Sequence, residues 1–340
     1  MSITATIRCK YGKTNKGIII GGGGTRGVHA LGLFMYLLEK NDILDISEIG
    51  IYGGTSTGSF FATGMSLGYT RDDIVSLSKE IPIDNITDPT YMLPKSLFRF
   101  LYNGYLYSSD GRASVAKMVI EKKLNILQRD LGDVTLGYSD ITFAHLRQLI
   151  KGYPKIYKDL LINTVDISIG KQVFMTTMDC DSDNITLYDA MMASGTFPFL
   201  FDPFNLYYSD KKYSSIPAPE YNIHKMVDGG LAINNPLEYF VKNRLTDYTF
   251  WLVRFINETD YGEVNTPYKL AMQMFYYLLV GKSEIAEDIL IDDNDLSIID
   301  LDVTQGTFQA YTNEEVCKIT LETYNKCKNG HIKIIHEDEM

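Results

Sequence analysis

Ile49-Gly50-Ile51-Tyr52-Gly53-Gly54-Thr55-Ser56-Thr57-Gly58 is the stretch whose reading decides the fold. An apolar run ends in Gly54-x-Ser56-x-Gly58. A serine framed by glycines at this spacing can stand on a sharp turn from strand to helix, because the missing side chains leave room for a strained backbone. The hydroxyl then projects alone into a cleft. Ser59–Leu67 continues with Phe61, Ala62 and Met65 on one face, which predicts a short helix ended by Gly68. A Gly/Ser/Thr-rich turn without chemistry satisfies the same five residues, so the reading depends on what else the chain carries.

Upstream, Lys16-Gly17-Ile18-Ile19-Ile20 predicts a β-branched strand. It enters Gly21-Gly22-Gly23-Gly24-Thr25-Arg26-Gly27, and Val28–Lys40 predicts a helix with Leu31, Phe34, Leu37 and Leu38 on one face. Successive glycine N–H groups at a helix N-terminus are built to hold an anion. One candidate is a dinucleotide. Gly22, Gly24 and Gly27 satisfy G-x-G-x-x-G, and Asp42 or Asp45 follows about 20 residues on. Against it, Asn41-Asp42 closes the helix, and the next strand ends in the serine turn. The other candidate is a transient oxyanion, with the loop serving an acyl-transfer site beside Ser56. A third anchor is Met226-Val227-Asp228-Gly229-Gly230, a strand ending in a carboxylate with two glycines behind it. Asn234-Asn235-Pro236 then opens a helix through Leu237, Phe240 and Val241. An Asp-Gly turn is the plain alternative for this anchor.

The chain has 340 residues, 45% of them apolar, enough for a large core, and neither a repeat nor a composition break divides it. A single domain over 1–340 is expected. Its formal net charge of −11 argues against a nucleic-acid partner. No apolar run reaches the roughly 18 residues of a membrane span, and Met1–Gly17 lacks the apolar core of a secretory signal. Four scattered cysteines fit a reducing, cytoplasmic setting and no zinc site. Asp179–Asn184 begins like a calcium loop but has Asn184 where glycine is needed and Ala190 where a glutamate is needed, so it reads as a polar turn. Further expectations are an irregular connection with short helices over Tyr69–Pro94, an aromatic cap over Tyr91–Tyr107 and one long helix over Ser109–Gln128. Strands are expected at Leu160–Val165, Gln172–Thr176 and Phe250–Phe255. A core helix over Tyr268–Val280, a solvated acidic segment over Ser283–Asp302 and a last helix over Thr312–Asn329 complete the chain.

Taken together and in this order, the three anchors resemble those of the patatin-like phospholipase family. Residues 21–27 are similar to its x-G-G-G-x-R-G loop, with Gly22, Gly23 and Gly24 as the glycine run, Arg26 as its basic position and Gly27 closing it. Gly54-Thr55-Ser56-Thr57-Gly58 is similar to its nucleophile motif, and Asp228-Gly229-Gly230 to the segment carrying the acid of its Ser-Asp dyad. Ala193-Ser194-Gly195-Thr196-Phe197-Pro198 is a weaker match to a further family segment. The resemblance covers residues 17–244, the catalytic core, and leaves 245–340 as an unmatched extension. It implies a three-layer α/β/α sandwich with a central, mostly parallel sheet. It also implies hydrolysis of lipid or phospholipid acyl esters at a membrane or micelle surface, without metal or cofactor.

In that chemistry Ser56 attacks the ester carbonyl and Asp228 accepts its proton. The N–H groups of Gly22, Gly23, Gly24 and Thr57 hold the oxyanion. A carboxylate near pKa 4 is a feeble base, so Asp228 is expected to be partly buried. Three rivals remain: a Ser-Asp-His triad drawing on His331 or His336, a dinucleotide-dependent oxidoreductase, and a catalytically idle lipid-binding scaffold.

Overall fold

The computed structural model describes residues 15–39, 44–81, 83, 104–210, 212–245, 247–256, 270, 287, 296–303, 310–331 and 333–335. Its strands are β1 (Asn15–Ile20), β2 (Ile49–Thr55), β3 (Asp159–Asp166), β4 (Lys171–Thr176), β5 (Phe204–Ser209), β6 (Lys212–Ser214), β7 (Asn222–Asp228), β8 (Tyr248–Ile256), β9 (Leu296–Asp302) and β10 (Lys333–Ile335). The helices are α1 (Val28–Leu37), α2 (Thr57–Ser66), α3 (Arg71–Glu80), α4 (Asp110–Glu121), α5 (Leu124–Leu131), α6 (Phe143–Gly152), α7 (Leu187–Ser194), α8 (Glu238–Lys242) and α9 (Asn313–Lys328).

One sheet holds all ten strands in the order β10-β9-β8-β1-β2-β3-β7-β5-β6, with β4 also on β3. Its centre, β9-β8-β1-β2-β3, is parallel, and antiparallel strands flank it on both sides. A parallel strand covered on both faces reads as an unbroken apolar run, which is why Ile18-Ile19-Ile20 was legible. Side chains alternate across the pleat: Ile18 and Ile20 join the larger core beneath α1, α2, α3 and α9, while Ile19 joins a smaller one with Leu237 and Phe240. Helices on both faces make the three-layer α/β/α sandwich.

The register around β3 positions everything that follows. β2 pairs in parallel with Asp159–Asn163 of β3, while β7 pairs antiparallel with Thr164–Asp166. β4 occupies the other edge of β3 along Leu161–Asp166. A strand has only two edges, so β2 and β7 lie along the same one and meet tip to tip: Thr55 stands opposite Asn163 and Asp228 opposite Thr164.

Arg71–Glu80 is one of the short helices expected between Tyr69 and Pro94, opened by a Thr70/Asp73 capping box. Several other expectations are corrected. The long helix expected over Ser109–Gln128 is two, broken where Lys122 and Lys123 turn to Glu80 and Asp73 of α3. The end of the acidic segment is β9, in which buried Asp300 pairs with Arg254 of β8. β5 and β6 were not anticipated. Most of the helix expected over Tyr268–Val280, most of the cap at Tyr91–Tyr107, Lys40, Asp42 and the tail with His336 lie outside the described residues.

Candidate active site

Ser56 stands between β2 and α2 with φ 54° and ψ −125°, a left-handed conformation that a residue with a side chain rarely adopts. Such strain costs about 1–3 kcal/mol and persists only where the surroundings over-determine it. The flanking glycines supply part of that constraint. A Cβ on Gly54 would collide with the Gly58 carbonyl, and one on Gly58 with the Ile20 carbonyl, so the turn crosses β1 at backbone contact distance. The Ser56 N–H donates to Ser194 Oγ at 2.9 Å, and its own hydroxyl is not spent on capping α2.

Asp228 ends β7 at 2% exposure. Its Oδ1 accepts the Gly230 N–H at 2.8 Å, and its own N–H donates to the Thr196 carbonyl at 2.7 Å. Oδ2 is buried and has no well-aligned hydrogen-bond partner among the described residues. The Ser56 side chain faces this carboxylate closely enough to stabilise its ionised form, without the alignment of a full hydrogen bond to Oδ2. Burial dominates and pushes the Asp228 carboxyl up to about 6, against smaller downward pulls from Ser56, the Gly230 N–H and the Arg112 guanidinium.

Residues outside the three anchors fasten them together. Ser194 and Thr196, at the end of α7, hold the main chains of Ser56 and Asp228 respectively. Asn163, at the tip-to-tip junction, accepts from Thr55 Oγ1 at 2.5 Å and donates to the carbonyls of Gly229 and Ile233. Arg112 of α4 is buried with Nη1 donating to Thr196 Oγ1 at 3.0 Å and its guanidinium 4.0 Å from the Phe201 ring centre. Its Nε has no partner among the described residues, and burial lowers its pKa to about 10. Neither Asn163 nor Arg112 belongs to a motif, so nothing local in the sequence singled them out.

The glycine loop packs on the serine turn through Thr57 Oγ1, which donates to the Gly24 carbonyl at 2.6 Å. One expectation is corrected here. The Gly22 N–H donates to the Asn234 carbonyl at 3.1 Å and to its side chain at 3.2 Å, so it is already engaged. No such bond ties down the N–H of Gly23 or Gly24 among the described residues. Thr57 opens α2, where a first-turn N–H has no partner within the helix. Gly22 contributes by closeness: a Cβ there would stand 3.2 Å from the Ser56 Cβ. Arg26 is fully buried near Tyr311 and lines the cavity.

These groups share one cavity of about 370 Å³, polar around Gly21–Gly24, Ser56, Asp228 and Arg112 and apolar between α2, α3 and α4. Topology removes Asp45 as the ribose acid of the dinucleotide reading. Asp45 precedes β2 and accepts from Ser47 at the opposite end of the sheet from the glycine loop, about six residues or ~20 Å away along the strands. No described histidine lines the cavity. His29 contacts Thr323, His145 belongs to the α6 capping box, His224 pairs with Asp166, and His331 is exposed beyond α9. Asp179–Asn184 is a turn gripped by Arg147, which pairs with Asp183.

A family model for patatin-like phospholipases matches residues 18–241, about two thirds of the chain. The chain belongs to the patatin-like phospholipase family. A protein of Acanthamoeba polyphaga mimivirus is 34% identical over 96% of this chain and 91% of its own length. A protein of Invertebrate iridescent virus 6, named a probable lipid hydrolase, is 26% identical over 70% of this chain and 66% of its own. The crystal structure of VipD from Legionella pneumophila shares the fold, with a TM-score of 0.55 at 13% identity over 95% of this chain and 68% of that one. In this member of the patatin-like phospholipase family the family match stops before β8, yet Tyr248–Val253 of β8 pairs with the whole of β1, and the Val253 carbonyl receives the Gly21 N–H at 3.0 Å. Residues beyond the match therefore help to hold the glycine loop. Among the described residues no helix is long and apolar enough to cross a membrane.

Proposed function

We propose that this patatin-like phospholipase is a lipid acyl hydrolase of the phospholipase A or lysophospholipase type, working through a Ser56–Asp228 dyad without a metal. The observation that carries this reading is the meeting of β2 and β7 tip to tip, which sets a strained, uncommitted serine hydroxyl against a buried carboxylate. With its carboxyl near 6, Asp228 is ionised at neutral pH and more basic than an exposed aspartate.

As Ser56 Oγ bonds to the ester carbonyl carbon, its proton passes to Asp228, and the oxyanion rests on the N–H groups of Gly23, Gly24 and Thr57. Collapse breaks the ester bond, and Asp228 returns the proton to the leaving alcohol. Water then gives a proton to Asp228 and its oxygen to the acyl carbon. The fatty acid departs, and Ser56 recovers the proton. The chain acts as one domain over 1–340, its 17–244 core completed by 245–340, and works in the cytoplasm, peripherally on membrane or micelle surfaces.

A fluorophosphonate probe is expected to label Ser56, and Ser56→Ala to abolish both labelling and release of fatty acid from phospholipid vesicles. Labelling elsewhere, or unchanged release by Ser56→Ala, refutes the reading.

A further inference from the structure

The cavity has a long apolar arm that the chemistry above does not use. Along α2 it touches Ser56, Phe60 and Gly64, residues four apart and therefore on one face of the helix. At 1.5 Å per residue, Ser56 to Gly64 spans about 12 Å. Along α4 the same arm touches Arg112, Val115 and Val119, again one face, with the charged end in the first turn beside Asp228. The two helices thus flank the arm with their polar ends at the dyad and their apolar ends away from it.

Among the described residues, Tyr69, Ile74 and Val119 line its far end. The Tyr69 hydroxyl donates to the Val119 carbonyl at 2.7 Å, latching the chain that follows α2 onto α4. The Tyr69 ring lies 3.2 Å from where a Cβ on Gly64 would stand, so the absent side chain lets the ring reach this end, beside Ile74. All three wall residues are at most 5% exposed.

Given the hydrolase reading, we propose that this arm is an acyl-chain site of fixed length, with Tyr69, Ile74 and Val119 as its end wall, accepting saturated chains of medium length. An extended chain advances roughly 1.2 Å per bond, since three bonds of extended backbone cover about 3.3–3.6 Å, so ~12 Å holds about ten carbons.

The test reads binding, so it does not depend on turnover. Saturated fatty acids from hexanoate to hexadecanoate are titrated calorimetrically, below their micelle concentrations, into the Ser56→Ala protein. Affinity should climb up to about fourfold per methylene, the equivalent of ~0.8 kcal/mol, and stop climbing near decanoate. Val119→Phe should move the plateau to shorter acids, and Ile74→Ala to longer ones. A steady climb through hexadecanoate, absence of binding, or a plateau unmoved in whichever variants fold would overturn the proposal. Hydrolysis of a butyrate ester by the wild type is measured alongside. If it is absent while the plateau stands, the hydrolase reading fails and the acyl site survives; if it is present without a plateau, the reverse holds.

Discussion

Replacing Asp228 by asparagine should inactivate the protein and stabilise it, and the stabilisation should depend on pH. The native carboxyl is lifted from the ordinary 3.8 to about 6, chiefly by burial. Between those values the unfolded chain has released the proton that the native state still holds. Stability therefore falls as pH rises through this window and is level above it. At 1.36 kcal/mol per decade the ionised native state carries a penalty of roughly 3 kcal/mol at neutral pH, a sizeable share of the 5–15 kcal/mol that keeps a domain folded. Asparagine cannot ionise, so the variant escapes the penalty. Packing and hydrogen-bond differences between the two side chains are the same at any pH and cancel in a comparison. Urea unfolding near pH 4 and near pH 7.5 should thus show the advantage of Asp228→Asn growing by roughly 2 kcal/mol between the two, since part of the penalty is already present near pH 4. Ester turnover should fall at least about a hundredfold. An advantage that is the same at both pH values would mean that burial does not lift this carboxyl, and the argument for its basicity would fail with it.

Wild-type kcat/KM should lose its activity on the acid side with an inflection near 6, the value of the Asp228 carboxyl; Arg112→Met removes a charge that favours the ionised form and should move that inflection up, whereas an unmoved inflection would show that the guanidinium is not coupled to the base. Ser194→Ala deletes the acceptor of the Ser56 N–H and should cost about 1–3 kcal/mol in urea unfolding together with slower fluorophosphonate labelling; unchanged labelling would show that the strained turn holds without it. Gly58→Ala places a methyl group against the Ile20 carbonyl and should lower the melting temperature by well over the several degrees that correspond to about 1 kcal/mol, so a near-native melting curve would contradict the crossing at backbone contact distance.

The parts of this molecule legible in its sequence are those whose physics is local. β1 and β2 are buried on both faces and show it as apolar runs, and the serine turn announces itself because its crossing tolerates only glycine at 54 and 58. β9 was hidden because an aspartate in an acidic stretch looks solvated until its partner is known. Asp300 is buried against Arg254, which stands opposite it in the register of β8 with β9. The same limit explains Gly22. A glycine run reveals that backbone N–H groups are accessible, while which of them is already spent depends on Asn234, more than two hundred residues away.

The largest hidden element, the abutment of β2 and β7, is what the proposed Ser56–Asp228 dyad requires. An imidazole between serine and carboxylate would add its own breadth and allow the two strand ends to stand apart. An aspartate serving the serine directly has only its short side chain, so the two backbones must come within about one residue of each other along a shared neighbour, a step of ~3.3 Å. Thr55 opposite Asn163 and Asp228 opposite Thr164 meet that requirement on the edge of β3. Two strand tips meeting in this way leave main-chain groups that neither can satisfy for the other. Ser194 and Thr196, from the weaker family segment, and Asn163, which belongs to no motif, take up those groups and hold the spacing on which the proposed dyad depends.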